Sequence, residues 1–290
     1  GLGKDQDRRR YSWLQNLISE LYGDIYSGEL KYGYSGRNTQ NFFKFVLGEI
    51  YAEPVNSQKI YKDTEIFKLI NNTMLNDEYD DVLTLTEAIV QYWDYLKGSN
   101  PSYYNKYVGY TDNSLFDYVN SIFEREYIGY RFIDEKIVPI SDKHEVSAIR
   151  EALENKYQPV REHIAKANTL LADRENPDYE NSIKESISAV EAICEILTST
   201  GGKEATLGSM LKKLEDKGIK IHPALKAAYS SLYGYTSDAS GIRHAKNVGG
   251  KNSTFEEAKY MLVVCSAFVN YLIALEAKWV KKGLFELSNS

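Results

Sequence analysis

The segment between residues 179 and 197 constrains the fold of this 290-residue chain more than any other segment does. Its apolar side chains recur at alternating spacings of four and three residues, which places them along one face of a helix. They are Ile183, Ile187, Val190, Cys194 and Leu197. A stripe of this kind is the seam of a helical bundle, because other helices must cover it.

Further amphipathic helices are predicted on both sides of this segment. The apolar periodicity places them at residues 141–155, 160–171, 206–214, 222–232 and 254–279. Two of these helices begin with capping pairs, since Ser141 or Asp142 precedes Glu145 and Thr254 precedes Glu257. Gly201 and the next glycine are expected to end the 179–197 helix. The second half of the chain is therefore predicted to be an α-helical bundle.

The first half is predicted to be helical but less regular. The segments with helical spacing are residues 11–26, 41–50, 64–75, 82–96 and 114–125. Residues 130–140 then contain the one convincing hairpin pattern, with β-branched and apolar residues around a short polar turn. Pro139 restricts the second strand to a sheet edge. We place the domain boundary after this hairpin, so the expected domains are residues 1–140 and 141–290.

Charge and composition exclude several classes of protein. The net charge of −6 arises in residues 1–140, so the chain does not resemble a general nucleic-acid coat, which would be basic. Any contact with RNA would be local, and the candidate side chains are Lys212, Lys213, Lys246 and Lys251. No uninterrupted apolar run of membrane-spanning length occurs and the N-terminus is charged, so we expect a soluble, cytoplasmic protein without a membrane partner.

Motifs for the common cofactor and metal chemistries are absent from the sequence. There is no P-loop, dinucleotide fingerprint, nucleophile elbow or zinc-protease motif, and the four histidines are scattered. Cys194 and Cys265 fall on apolar helix faces, so we expect buried thiols rather than a disulfide or metal site. We therefore expect no cofactor and no bound metal.

Residues 232–245 are predicted to form a polar, glycine-containing loop between two helices, and this loop carries Arg243 and His244. A guanidinium group binds phosphate oxygens bidentately, and an imidazole exchanges protons near neutral pH. The pair therefore suits a site that handles phosphate. The other interpretation of the pair is structural, with both side chains tying down the loop.

Several separated segments of the second half carry a resemblance to a known family. They are residues 130–140, 181–192 (NSIKESISAVEA), 206–208 (TLG), 222–225 (HPAL), 232–245 (LYGYTSDASGIRHA) and 258–271. In this order they resemble the C-terminal region of AbiJ-type abortive-infection proteins, a bacterial anti-phage group with a HEPN-like helical domain. The first half is similar to the helical domain that precedes this region in AbiJ proteins. The resemblance implies a mainly α fold with a helical N-terminal AbiJ domain, a small hairpin and a C-terminal HEPN-like bundle.

The resemblance also implies an activity and a partner. HEPN domains often form homodimers, and active members cleave RNA without a metal through an Arg and a His near the start of the last core helix. On this basis Arg243 stabilises the phosphate and His244 acts as acid or base, aided by Asp238 and Tyr235. Active members separate the Arg and the His by several residues, whereas Arg243 and His244 are adjacent.

Three functions remain open at this point. The chain is a metal-independent endoribonuclease toxin, a non-catalytic sensor or scaffold that binds a ligand or a partner protein of a defence operon, or a structural dimerisation domain. In the third case Arg243 forms a buried ion pair, for example with Asp238. Exposure of Arg243 and His244 in an open groove would favour the first function.

Overall fold

The computed structural model describes residues 37–52, 63–99, 115–199, 207–237 and 253–288. Within these ranges the chain forms ten α-helices, one π-helical segment and one two-stranded antiparallel hairpin. The predicted mainly α fold with a small hairpin is thereby confirmed. The chain divides into two compact units, residues 1–128 and residues 129–290, which are described separately below.

The first unit contains four described helices. They are α1 (Arg37–Phe45), which runs into a π-helical segment (Val46–Ile50), α2 (Asp63–Asn76), α3 (Tyr79–Ser99) and α4 (Leu115–Arg125). Three of the predicted helices correspond to α2, α3 and α4 within a few residues, whereas the predicted helix at residues 11–26 lies outside the described ranges.

Aromatic side chains form much of the described core of the first unit. Phe42, Phe43 and Trp93 are almost completely buried. Phe45 and Tyr92 stack beside them with ring centroids 4.6 Å apart. Aromatic rings bury large areas and stabilise a core through such pairs, so these contacts join α1 to α3.

The second unit begins with the hairpin and continues with six helices. These elements are β1 (Arg131–Ile133), β2 (Lys136–Val138), α5 (Lys143–Leu153), α6 (Gln158–Ala172), α7 (Tyr179–Thr198), α8 (Leu207–Asp216), α9 (Pro223–Ser237) and α10 (Phe255–Ser288). Each helix predicted for this half is present, and its predicted bounds differ from the observed ones mainly at the C-terminal end.

Helix α7 lies at the centre of the second unit. It packs against α6 and α10 over most of its length and also contacts α8 and α9. Ile183, Ile187, Val190 and Cys194 are buried, as the spacing of the apolar residues predicts, and Leu197 packs at the edge of the core. The apolar stripe of α7 is therefore the surface on which the other helices of this unit assemble.

The hairpin belongs to the second unit because side chains of α5, of α6 and of the segment directly after α6 hold it through hydrogen bonds. Asn168 donates to the carbonyl oxygen of Ile133 at 2.8 Å. Arg150 donates to the carbonyl of Phe132, and Arg174 donates to that of Ile137. The compact units thus divide before the hairpin, between residues 128 and 129, and the domain limits expected from the sequence stay a prediction.

Two predicted helix starts are confirmed by their hydrogen bonds. The Asp142 carboxylate accepts from the backbone N–H groups of His144 and Glu145 at the start of α5. These two bonds are the main reason that the pKa of Asp142 is held below its ordinary value. At the start of α10, Thr254 N–H donates to Glu257 at 2.8 Å, and Glu257 N–H donates to Thr254 Oγ1. This pair forms the predicted capping box.

Helix α7 ends one residue later than predicted. Ser199 is the C-cap and has a positive φ of 55°, the left-handed conformation that commonly ends helices. Its backbone N–H donates to carbonyls of the last turn. The glycines at 201 and 202, which the sequence suggests as the terminator, lie outside the described residues.

Helix α10 is the longest element and continues past the predicted end at residue 279. Among the described residues, its stretch Phe255–Lys281 alone is long and apolar enough to span a membrane by length and composition. Core helices often share this length and composition, and α10 packs against α5, α6 and α7. The feature therefore carries no conclusion about a membrane.

Candidate functional site

The predicted loop at residues 232–245 is helical in its first part, which corrects the prediction. Helix α9 continues through Leu232 and ends at Ser237. Glycine in a helix interior costs about 1 kcal/mol relative to alanine, and this made Gly234 look like the beginning of a loop. Leu232 and Tyr233 pack against the core, and this burial offsets the cost at Gly234.

The rest of the predicted site lies between α9 and α10 in the sequence. Arg243, His244, Asp238, Lys246 and Lys251 fall in residues 238–252, outside the described residues. Tyr235 is in the last turn of α9, and its side chain is not among those described. The geometry that bears on this site is therefore that of the two helices that flank the segment.

Helix α9 is held in place by an aromatic stack with α10. The rings of Tyr229 and Phe268 lie nearly parallel, 3.4 Å apart between centroids. Burial raises the pKa of Tyr229 to about 12, so its phenol stays protonated at neutral pH. An ion pair of 2.7 Å between Lys226 and Glu215 joins α9 to α8. These contacts fix the helix that leads into residues 238–252.

The start of α10 is fixed by the capping box and by one ion pair. Lys259 lies 2.7 Å from Glu145 of α5, so the second turn of α10 is tied to the bundle. The capping box at Thr254 and Glu257 sets the angle at which the chain enters the helix. The segment that carries Arg243 and His244 is therefore attached to a well-defined helix at each end.

A groove lies between these two helices. Its volume is ≈ 540 Å³, and its walls are largely apolar. The lining residues are Ala228, Ser231 and Leu232 of α9 with Glu257, Tyr260 and Met261 of α10. These residues belong to the last turns before residues 238–252 and to the first turns after them. Tyr260 is 55% exposed although it is aromatic, so the groove offers ring surface to a ligand.

Of the predicted RNA contacts, Lys212 and Lys213 are the two whose positions the structure describes. Both are exposed on α8, between the buried residues Leu211 and Leu214. Helix α8 contacts α9, but neither lysine lines the groove. The structure thus brings the helix that carries these lysines next to α9 without placing the lysines in the groove itself.

Another titratable cluster joins α6 to α7. His163 Nδ1 lies 2.7 Å from Glu185 Oε2, and Lys166 pairs with the other oxygen of that carboxylate. Partial burial acts to raise the pKa of Glu185, but the hydrogen bonds from Lys166 and His163 outweigh it and lower that pKa. No group of three or more metal-binding side chains occurs in the ranges that the structure describes.

The two cysteines are free and buried, as the sequence predicts. Burial raises the pKa of Cys194 and of Cys265 to about 12. A thiol of that pKa is not ionised at neutral pH, and the thiolate is the reactive form. Both thiols therefore serve packing.

The groove was not predicted from the sequence. Tyr260 of α10 is a large aromatic residue outside the buried stripe of its helix, and it is exposed. Single exposed residues of this kind are common on protein surfaces, so Tyr260 alone does not mark a groove in the sequence. The lining of the groove also requires the contact between α9 and α10, which helical periodicity does not give.

The fold defines a mainly α-helical protein of two compact units with a small hairpin. The family model of AbiJ N-terminal domain 4 matches residues 10–155, half of the 290-residue chain, and the chain belongs to this family. This membership indicates abortive-infection defence. No curated protein and no solved structure matches the chain.

The matched range covers the hairpin and α5 and ends before α6. The sequence suggested the AbiJ character of the first half on weaker grounds than that of the second half, and the match to residues 10–155 confirms it. The HEPN-like character expected for residues 141–290, most of which lie beyond the matched range, stays a prediction.

Proposed function

We propose that this AbiJ protein acts in phage defence as a metal-independent endoribonuclease, with a HEPN-like bundle formed by its second unit. The proposed catalytic groups are Arg243 and His244, with Tyr235 and Asp238 nearby in the sequence. One observation supports the proposal most directly. An open groove with an exposed aromatic ring lies between the two helices that flank these residues.

The proposed chemistry is transfer of a phosphodiester to the neighbouring ribose hydroxyl. The 2′-oxygen attacks phosphorus while His244 takes its proton, and the 5′-oxygen leaves with a proton from a second acid. The products are a 2′,3′-cyclic phosphate and a 5′-hydroxyl. Arg243 stabilises the negative charge that develops on the phosphoryl oxygens. Tyr260 supplies a surface on which a base of the substrate stacks.

The adjacency of Arg243 and His244 favours a site built from two protomers. Adjacent side chains point to opposite sides of an extended backbone and diverge by about 100° on a helix. Both groups of one chain are therefore poorly placed to reach the same phosphate. In a homodimer, Arg243 of one protomer and the partner's His244 meet at one phosphate, and the reciprocal pair forms a second site.

The proposal is tested by incubating the purified protein with a labelled single-stranded RNA at neutral pH in the presence of EDTA. Wild-type protein is expected to cleave, and His244→Ala is expected to lower the rate by about 10²–10⁴-fold. Arg243→Ala is expected to lower it by about 10²–10³-fold. Lys184→Ala, an α7 substitution away from the groove, is the matched control and should leave the rate unchanged.

Two results would contradict the proposal. Equal cleavage by all three variants would mean that a contaminating nuclease or another site is responsible. Absence of cleavage by a folded wild-type protein would favour the second candidate function, a non-catalytic sensor or scaffold. The apolar walls of the groove support that candidate, because they also suit a partner protein.

A further inference from the structure

A second pocket lies near the other end of α10, among residues that the proposed nuclease does not use. Its volume is ≈ 600 Å³, within the range of about 300–1,000 Å³ that is usual for small-molecule sites. Helix α10 contributes Glu276 and Trp279, and α7 contributes Ile196. Lys156, Tyr157 and Lys217 complete its principal lining. We call it the Trp279 pocket.

Trp279 supplies an exposed aromatic surface to this pocket. The residue is 47% exposed, although an indole ring gains free energy by burial. The edge of its ring lies against Gly218, where a Cβ atom would come within 3.0 Å of Trp279 Nε1. Gly218 also has a φ of +91°, which side chains other than glycine rarely adopt. Glycine at this position therefore lets the indole ring lie close to the backbone.

The charged groups of the pocket favour an anion over a cation. Lys156 and Lys217 outnumber the single carboxylate of Glu276, and that carboxylate already accepts a hydrogen bond of 2.6 Å from Tyr157. Lys156 pairs with the same carboxylate oxygen at 3.4 Å. Lys156 also covers the Tyr157 ring at 4.8 Å from its centroid, which blocks this ring for a cationic ligand.

Both lysines keep donors available for a ligand. Lys217 donates one hydrogen bond, of 3.1 Å, to the carbonyl of Leu197 at the end of α7. An ammonium group has three N–H donors, so this bond orients Lys217 without exhausting it. Lys156 is 67% exposed and its contact with Glu276 is 3.4 Å long. Its ammonium group also has three N–H donors.

We propose that the Trp279 pocket binds a small molecule that joins an aromatic ring to an anionic group, as a nucleotide does. The ring stacks on Trp279, beside the apolar side chain of Ile196, and the anionic group binds Lys217 and Lys156. The pocket is separate from the groove, because Tyr260 and Glu276 are 16 positions apart on α10, about 24 Å along the helix axis. The proposal does not depend on the nuclease activity.

Calorimetric titration of the full chain with the four common nucleoside monophosphates tests this proposal. Adenosine, which lacks the phosphate, and inorganic phosphate, which lacks the ring, are titrated separately as half-ligands. At least one nucleotide is expected to bind about tenfold more tightly than either half-ligand, because only the nucleotide engages both the ring and the lysines. Trp279→Ala and Lys156→Ala are each expected to weaken binding by about tenfold.

Two control variants separate the Trp279 pocket from the rest of the surface. Tyr260→Ala removes the exposed ring of the groove, and Lys184→Ala removes a lysine of α7 that lies outside both sites. Binding should be unchanged in both, and thermal unfolding should confirm that all four variants are folded. The proposal would be overturned if none of the nucleotides bound, or if none bound more tightly than the half-ligands. It would also be overturned if Tyr260→Ala lost binding and Trp279→Ala kept it.

Discussion

At the scale of single residues, hydrogen bonds from polar side chains attach the hairpin to the second unit. Asn168 is completely buried and donates to a backbone carbonyl of β1. A buried carbonyl that loses its donor costs free energy, so such a bond fixes the position of a short strand more strictly than apolar contact does. Ser182 has a similar role between α6 and α7, since its hydroxyl donates to the carbonyl of Ala167 at 2.8 Å.

Replacement of Asn168 by alanine is expected to lower the free energy of unfolding by about 1–3 kcal/mol, because the Ile133 carbonyl stays buried without its donor. Urea unfolding followed by circular dichroism measures this change. Asn181→Ala is the matched control, since the Asn181 amide bonds to Asp178 in an exposed position. Its expected cost is below about 0.5 kcal/mol, and equal costs for the two variants would contradict the role given to Asn168.

Asp134 is expected to reduce stability at neutral pH. It occupies the turn of the hairpin with a φ of 49°, and partial burial of its carboxyl group raises its pKa above the ordinary value of 3.8. Because the folded-state pKa is the higher one, the stability that Asp134 contributes is present below pH of about 4 and is lost as pH rises through the folded-state pKa. Asparagine has no charge and tolerates positive φ well.

Asp134→Asn is therefore expected to raise the melting temperature by roughly 1–2 °C at pH 7. Melting curves recorded from pH 7 down to pH 3 measure the effect, and the gain from the lost charge should shrink as the carboxyl group becomes protonated. A gain that is the same at both ends of this range would show that backbone conformation alone is responsible.

At the scale of elements, the sequence predicts the helices of the second unit well because periodicity is a local property. Residues 179–197 were predicted to be one helix, and α7 covers Tyr179–Thr198. The apolar residues at helical spacing in the other two helices are likewise buried, namely Leu207, Met210, Leu211 and Leu214 of α8 and Ala258, Leu262, Cys265, Val269 and Leu272 of α10. Cap residues add to this local signal, since Thr254 and Glu257 mark the start of α10 in the sequence and in the structure.

Features that depend on distant parts of the chain were not predictable in the same way. The π-helical turn at Val46–Ile50 is defined by the hydrogen bond from Tyr51 N–H to the Val46 carbonyl, and the residue pattern of this segment does not predict the turn. The extension of α9 past Leu232 depends on packing against the core. The groove is formed by side chains of two helices, and the Trp279 pocket is formed by side chains spread from residue 156 to residue 279. The key residues of the predicted site lie outside the described ranges.

The stack between Tyr229 and Phe268 is expected to control the order of α9. Tyr229→Leu keeps an apolar side chain but removes the stack, which contributes about 0.5–1.5 kcal/mol. Amide hydrogen exchange in α9 should therefore become about two- to tenfold faster, while exchange in α7 stays unchanged. Leu225→Ala, an exposed position on the same helix, serves as the control. Exchange in α9 that is the same in both variants would show that other contacts hold the helix.

At the scale of the whole molecule, the AbiJ match and the compact units do not have the same limits. The match covers residues 10–155, whereas the units divide between residues 128 and 129. The hairpin and α5 are therefore part of the AbiJ region in sequence and part of the helical bundle in structure. The second unit is assembled around α7 and carries both the groove and the Trp279 pocket.

Mixed dimers test whether the proposed nuclease site is shared between protomers. In a dimer of one Arg243→Ala and one His244→Ala protomer, a shared arrangement leaves one of two sites intact. The two inactive variants are purified separately, mixed and allowed to exchange protomers. Cleavage should then be restored, up to about half of the wild-type rate per mixed dimer. Light scattering verifies the dimer. Failure of mixed dimers to cleave would mean that each site takes both groups from one chain.

The most direct test of the central claim is the chemical nature of the RNA ends produced in EDTA. A metal-free reaction through the ribose hydroxyl predicts 2′,3′-cyclic phosphate and 5′-hydroxyl ends, and no cleavage at a linkage whose ribose is replaced by 2′-deoxyribose. Products with 3′-hydroxyl and 5′-phosphate ends, or cleavage at the deoxy linkage, would contradict the account.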